Sequence, residues 1–412
     1  MDNTLSSIEE YNALLVQGVQ WRNDGNFELA EKALVLACKS MPLEWQGYYE
    51  LALIYEIRKD SLNLRQCLEH ALTRNPGQID TIHKLLTLVI LDDNDKDYFK
   101  FISIIDFSHE LIIERVCALD ELRRFRKLHP IASIQEGHQQ IVEQSEGWIF
   151  VEDVIQRMRE ALHNREGFAF IRLGDGEGTW LNHDKADEIL YHTMRSINRT
   201  EFWNIWYGEE VAVHRYSFLS IMHNLAFRLG EADILGIPPL TWLEHEHAIG
   251  SLRGLPGTVN VVKLLAANSA ILENMSLCTQ LMHYELSNHP DFLEFLCNLD
   301  RIAIISCHPE TAQLMQLKFG ILDVLYIPVP GEPSRAHLLG ENSVKGQHYP
   351  DGFYQTLQSI NTVDFTGLVC LVGGGILGKL YSLEIKARGG IAIDVGSVMD
   401  KWLNKPTRPD FF

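Results

Sequence analysis

The sequence predicts two fold classes in series: an all-α repeat region, then an α/β domain built on a mainly parallel sheet. Three observations carry this. The first eighty residues repeat themselves at a spacing of 34 positions. From about residue 148, short apolar runs alternate with helical stretches, the order that gives parallel strands with helices on both faces. Those runs, FAFIRL, ADILGIP, RIAIISC, DVLYIPV, LVCLVG and IAIDVG, are almost unbroken in their apolar character. Strands covered on both sides read that way.

A chain of 412 residues suggests two or three domains. Acidic residues outnumber basic ones 55 to 36, for a formal charge of −19. That balance excludes binding nucleic acid or an anionic membrane by bulk charge. No run approaches the roughly 18 apolar residues of a membrane-spanning helix. The opening MDNTLSSIEEYN lacks the basic and apolar blocks of a signal peptide. Cys38, Cys67, Cys117, Cys278, Cys297, Cys307 and Cys370 are odd in number and scattered, with no C-x-x-C. They read as reduced thiols in a cytoplasmic protein, against a zinc site or a disulfide framework.

In the repeat, Trp21 matches Tyr55, Ala37 matches Ala71, Pro42 matches Pro76, and Gly18 matches Ala52. Small residues let two helices approach, aromatics fill the groove, and the proline stops the second helix. Gly25 supplies the turn in the first copy, whereas Lys59 stands there in the second. Over residues 11–78 this resembles the tetratricopeptide repeat, which implies a surface for a protein partner, an acceptor or a second subunit. HKLLTLVILDD reads as a capping helix. SHELIIERVCALDELRRFRKL reads as an amphipathic helix with Leu111, Ile112, Val116, Leu119 and Leu122 on one side, and its RRFRK end as solvated. LHPIASIQEGHQQIVEQSEG is polar and broken, as a linker is. The expected organisation is therefore helical repeats over 1–95, a helical linker over 96–147, and the α/β domain over 148–412.

Ligands of open α/β sheets bind beyond the carboxyl ends of the strands, so the residues after each strand carry the chemistry. FIRLGDGEG, residues 170–178, runs from a strand into alternating glycines. In an extended backbone Asp175 and Glu177 project to one side. Two such carboxylates make a hard-oxygen half-site for Mg²⁺ or Mn²⁺. Gly174, Gly176 and Gly178 remove side chains where a ligand would approach, and Arg172 pairs with a phosphate or with Asp175. Residues 366–397 read strand, glycine turn, helix, strand. Gly373, Gly375 and Gly378 fit G-x-G-x-x-G, and Asp394 ends the next strand, the layout of a dinucleotide-binding turn. Gly373 to Lys379 also fits G-x-x-x-x-G-K, but Leu380 stands where a P-loop needs a hydroxyl. Asp394, Ser397 and Asp400 follow the last strand.

Weaker signals complete the survey. Glu244, His245, Glu246 and His247 read as a polar helix start, not a metal site. Cys307 and His308 are adjacent, which rarely lets an imidazole reach the thiol. Arg335 and His337 follow a strand as phosphate or acceptor contacts. Trp203, Trp206 and Tyr207 read as core packing ahead of sugar stacking.

Residues 172–177, RLGDGE, resemble the signature of GT-D type glycosyltransferases. The end of the chain is similar too, a strand closing in Asp394 and Gly396, then Asp400 and Trp402. The resemblance implies a Rossmann-like sheet and a metal-dependent hexosyltransferase that moves sugar from a nucleotide diphosphate, a UDP-hexose, to a glycan or protein. It makes Asp175 and Glu177 ligands of Mn²⁺ or Mg²⁺ and of the donor diphosphate, with Arg172 as their support. Gly174, Gly176, Gly374, Gly375, Lys379, Asp394, Ser397 and Asp400 fall on the substrate side. A base for the acceptor hydroxyl is sought among Glu209, Glu210, Glu244, Asp394 and Asp400. Two other readings stand beside this one: an NAD(P)-dependent oxidoreductase using residues 373–394, and a non-catalytic repeat scaffold.

Overall fold

The computed structural model describes residues 2–181, 185–208 and 211–408. They divide into two compact units, Met1–Arg126 with Ala248–Gly250, and Lys127–His247 with Ser251–Phe412. No helix among the described residues is long and apolar enough to cross a membrane.

The first unit is helical. Its hairpins pair Asp2–Asn23 with Phe27–Ser40, Gln46–Ile57 with Ser61–Arg74, and Ile79–Leu91 with Asp95–Ile102. The second helices start at Phe27, Ser61 and Asp95, so the 34-residue period runs on for a third copy. HKLLTLVILDD therefore opens a hairpin where a cap was expected. Each turn places a residue in the left-handed region: Gly25 at φ +77°, Lys59 at +58° and Asp93 at +50°. The period is kept at the level of conformation even where glycine is lost. The residue after each is a helix cap. Asp60 and Asn94 accept the N–H groups of Asn63 and Asp97 at 3.2 and 3.1 Å, satisfying donors that an uncapped helix leaves orphaned. Ala30, Ala37, Ala52 and Ala71 are fully buried at the helix crossings. Trp21 and Tyr55 pack at the margin of a core of Leu34, Leu51 and Ile54.

The helix Glu110–Leu128 buries Ile112, Val116, Leu119 and Leu122 as its period predicts, but Leu111 is exposed. The expected broken linker is instead a helix, Ile131–Gln144, with Ile134, His138 and Ile141 buried. It belongs to the second unit and packs on the helix Gly254–Ala266, where Gly137 lies against Val262. Three buried positions, with Gly137 against Val262, hold it among polar residues.

The second unit is a parallel sheet covered on both faces. Its strands are β1 (Phe168–Arg172), β2 (Ile234–Ile237), β3 (Ser276–Thr279), β4 (Arg301–Ser306), β5 (Asp323–Pro328), β6 (Val369–Val372) and β7 (Ile391–Asp394). Their order is β3-β2-β1-β7-β6-β4-β5, every pairing parallel. Six of the seven are the apolar runs of the sequence. β3, SLCT, was missed because it is four residues long and half polar. The inward side chains of β1, β2, β4, β6 and β7 meet the flanking helices in one core that includes Phe170, Ile234, Ile304, Leu371 and Ile393.

Candidate functional site

From β1 the chain moves outward to β2 and β3, whereas β7 is reached from β6 on the other side. The loops leaving β1 and β7 therefore part, and a crevice opens at this switch point. It forms a cavity of about 300 Å³. Arg172, Gly174, Asp175 and Glu177 enter it from the end of β1, and Gly373, Gly374, Gly375 and Lys379 from beyond β6. Gly396, Ser397 and Asp400 enter from beyond β7. Asp394 lies just beneath, buried. Sequence reasoning thus found most of the floor. It missed Gln280 and His283, which follow the unrecognised β3, and the wall residues Trp242, His348 and Arg408.

Gly174 is extended, but residues 175–177 are not. Asp175 opens a helix, Asp175–Trp180, in which Glu177 is the third residue. Glu177 turns back so that Oε2 accepts the Gly174 N–H at 2.8 Å, half of a capping box. Asp175 Oδ1 accepts the neighbouring Gly176 N–H at 2.9 Å. The expectation that Asp175 and Glu177 project together from a strand is corrected accordingly. Two of the glycines serve packing. A Cβ on Gly176 would run into the Trp206 ring, and one on Gly178 into the Gly257 carbonyl of the helix Gly254–Ala266. Gly176 is consequently absent from the cavity wall. The Asp175 carboxyl is pushed up to about 6, by burial first and then by the Glu177 charge beside it, with Arg253 opposing.

Arg172 reaches across the strand ends. Its guanidinium donates to Asp394 Oδ1 at 3.0 Å and to the Asp394 and Gln280 carbonyls at 3.1 Å each. Gly236 on β2 makes the path possible, since a Cβ there would press on the Arg172 stem. Lys379 completes the group. Its Nζ lies 2.7 Å from Glu177 Oε1 and 3.2 Å from Asp394 Oδ2, and donates to the Gly375 carbonyl at 3.1 Å. Burial alone would raise the Asp394 carboxyl, but Arg172 and Lys379 outweigh it and hold it below its usual value. His283 Nδ1 is 2.8 Å from Arg172 Nη1. Burial, then Arg172 and Lys379, hold this imidazole neutral far below its ordinary range.

The Mn²⁺ or Mg²⁺ implied by the resemblance needs carboxylate oxygens turned to one point. Both oxygens of Glu177 are taken, by Lys379 and by Gly174, and Asp394 is held between Arg172 and Lys379. With these partners in place Glu177 does not fit a divalent ion, while Asp175 keeps one oxygen outside its Gly176 contact, and no step below runs through an ion. Among the described residues, the one trio with metal-ligand spacing is Cys307, His308 and Asp400. There His308 Nε2 meets Asp400 Oδ1 at 3.0 Å, and Thr407 donates to the other oxygen. The Cys307 thiol is pushed up to about 12, chiefly by burial and then by Asp400. His308 is thus the partner of Asp400 and not of the adjacent thiol.

The remaining expectations sort by place. Glu244 accepts from Gln135 at 2.8 Å and does not line the cavity, and Asp394 is a bound counter-ion. Glu209 and Glu210 lie outside the described residues. Trp203 is buried among Trp180, Phe218 and Tyr349, as core packing predicts, whereas Trp206 lines the cavity, stacked on Phe202 at 5.1 Å. Arg335 pairs with Glu332 and lines an adjoining cavity of about 460 Å³. That cavity shares Tyr284, Ser397, Thr407 and Arg408 with the first. Trp402 packs on Phe319.

A parallel sheet with an acid-and-glycine cradle at its switch point makes the second unit a Rossmann-like α/β domain. Residues 150–402, more than half of the chain, match the family described as a GT-D fold-like domain, and the chain belongs to that family. No curated protein and no solved structure matches it.

Proposed function

We propose that the cavity binds a nucleotide-diphosphate sugar, a UDP-hexose, and transfers the hexose to a hydroxyl of a glycan or protein. The observation that carries this is the convergence of Asp175, Glu177, Arg172, Lys379 and the Gly373–Gly375 turn on one cavity at the strand ends. The choice of UDP-hexose is supported by the resemblance at RLGDGE alone. In the reaction the acceptor oxygen bonds to the sugar C1 as the bond from C1 to the diphosphate oxygen breaks. The electron pair stays on the diphosphate, and the acceptor proton passes to a carboxylate. Asp175 suits that role. It lines the cavity, one oxygen is free of the Gly176 N–H, and a carboxyl raised to about 6 is a stronger base than an ordinary one. The helix Gly378–Ala387 begins at the glycine turn and offers its positive end to the leaving diphosphate.

The dinucleotide reading is disfavoured by one contact set. It needs Asp394 free for a ribose hydroxyl, and Arg172 and Lys379 hold that carboxylate. The helical hairpins are proposed to hold the acceptor or a partner protein, a use supported by their repeated architecture. The seven free thiols support a cytoplasmic setting. The test is calorimetric titration with UDP, UDP-glucose and NAD, followed by an assay of labelled-hexose transfer. UDP and UDP-glucose should bind and NAD should not. Binding of NAD alone, or of no nucleotide, would overturn the reading.

A further inference from the structure

Resting on that reading, we infer that Lys379 is the site's resident cation and that donor binding needs no divalent metal. The carboxylates of Glu177 and Asp394 converge on the Lys379 ammonium, with Oε1 at 2.7 Å and Oδ2 at 3.2 Å. Lys379 Nζ also donates to the Gly375 carbonyl at 3.1 Å. Lys379 is 3% exposed, so its charge cannot be screened by water and must be met where it sits. A divalent ion would bind the same oxygens at about 2.0–2.2 Å and could enter only by displacing the ammonium.

The remaining cations point the same way. Arg172 and Lys379 pair with Glu177 and Asp394. At the mouth, Arg335 Nε and Arg408 Nη2 share a single carboxylate, Glu332, at 3.2 and 2.5 Å. Arg253 is close enough to act on both Arg335 and Asp175. These three guanidiniums stand beside Glu332, Asp175 and Asp400, so the wall sets cations within reach of an entering anion in a chain of net charge −19. A diphosphate entering the cavity brings the opposite charge, and Arg408 lines that cavity. The chain's own cations thus supply what the metal would.

The experiment uses the full chain and two probes, UDP and Mn²⁺ alone. Calorimetry should give the same UDP affinity, within twofold, in EDTA and in Mn²⁺. Electron paramagnetic resonance should show no Mn²⁺ bound through Glu177 in the unaltered protein. Lys379→Met should weaken UDP at least tenfold in EDTA and create an Mn²⁺ site at the vacated carboxylates. Adding Glu177→Gln to that variant should abolish the new site. UDP binding to the unaltered protein that needs Mn²⁺, or Mn²⁺ bound there and lost in Glu177→Gln, would overturn the inference and leave the glycosyltransferase reading standing. These two arms need no lysine variant, so a folding defect in Lys379→Met cannot shield the claim. UDP binding under neither condition would remove the donor reading and this inference with it.

Discussion

Asp175 carries opposed demands. Its carboxyl titrates near 6 because burial and the Glu177 charge disfavour the ionised form. The fold therefore favours the protonated acid. That contribution to stability is full below the ordinary carboxyl value of 3.8 and is lost as pH rises through about 6. Asp175→Asn should raise stability above pH 6 by up to about 3 kcal/mol, read from denaturant midpoints. It should lower hexose transfer at least 100-fold while UDP still binds. In the unaltered protein, kcat should fall as pH drops below about 6. A variant that keeps full transfer would remove Asp175 from the chemistry. Arg172 makes a different claim. Asp394 is 2% exposed and answers both Arg172 and Lys379. Arg172→Met should cost about 3 kcal/mol by leaving that carboxylate half-compensated, and a loss below 1 kcal/mol would contradict the pairing.

Among the elements, the helix Asp175–Trp180 shows why neighbouring glycines are not equivalent. Gly178 sits backbone to backbone with Gly257, and Asn260 donates to the Gly178 carbonyl at 2.9 Å. Gly375, at φ +56°, has open space where a Cβ would point. Gly178→Ala should therefore cost about 3 kcal/mol or more by forcing two helices apart. Gly375→Ala should cost about 1 kcal/mol, through backbone conformation alone. Equal losses in thermal melts would defeat the distinction. In the helical unit, Asn94→Ala removes the cap that accepts the Asp97 N–H and should cost about 1 kcal/mol. The G-x-x-E spacing of Gly174 and Glu177 is itself a helix-start signal. It was legible, but the alternating glycines drew the reading toward an extended strand.

For the whole molecule, stability rests on packing and not on disulfide cross-links. All seven cysteines are free, and four of them are buried. Thermal midpoints should not move with reductant, and a drop on reduction would reveal a disulfide. A donor nucleotide that binds only the folded protein should add about 2.7 kcal/mol at a hundred times its Kd. Much of the architecture was readable because it depends on local period. Six strands announced themselves as apolar runs, and the 34-residue spacing gave the first two hairpins. The third hairpin escaped because Leu86, Val89, Ile105 and Glu110 stand where the second copy has Ala52, Tyr55, Ala71 and Pro76. β3 escaped because it is short and half polar, and Gln280 and His283 went unnoticed with it.

By itself, the sequence determined six of the seven strands, the first two hairpins, and the acids and glycines at the carboxyl ends of those strands. Period and strand polarity are local properties, so they survive in one dimension. Only the tertiary structure decided which charges meet. Lys379 lies about 200 residues from Glu177 along the chain, yet their side chains are 2.7 Å apart. That pairing exists because β1, β6 and β7 end side by side, and strand adjacency is a long-range outcome that no local pattern encodes.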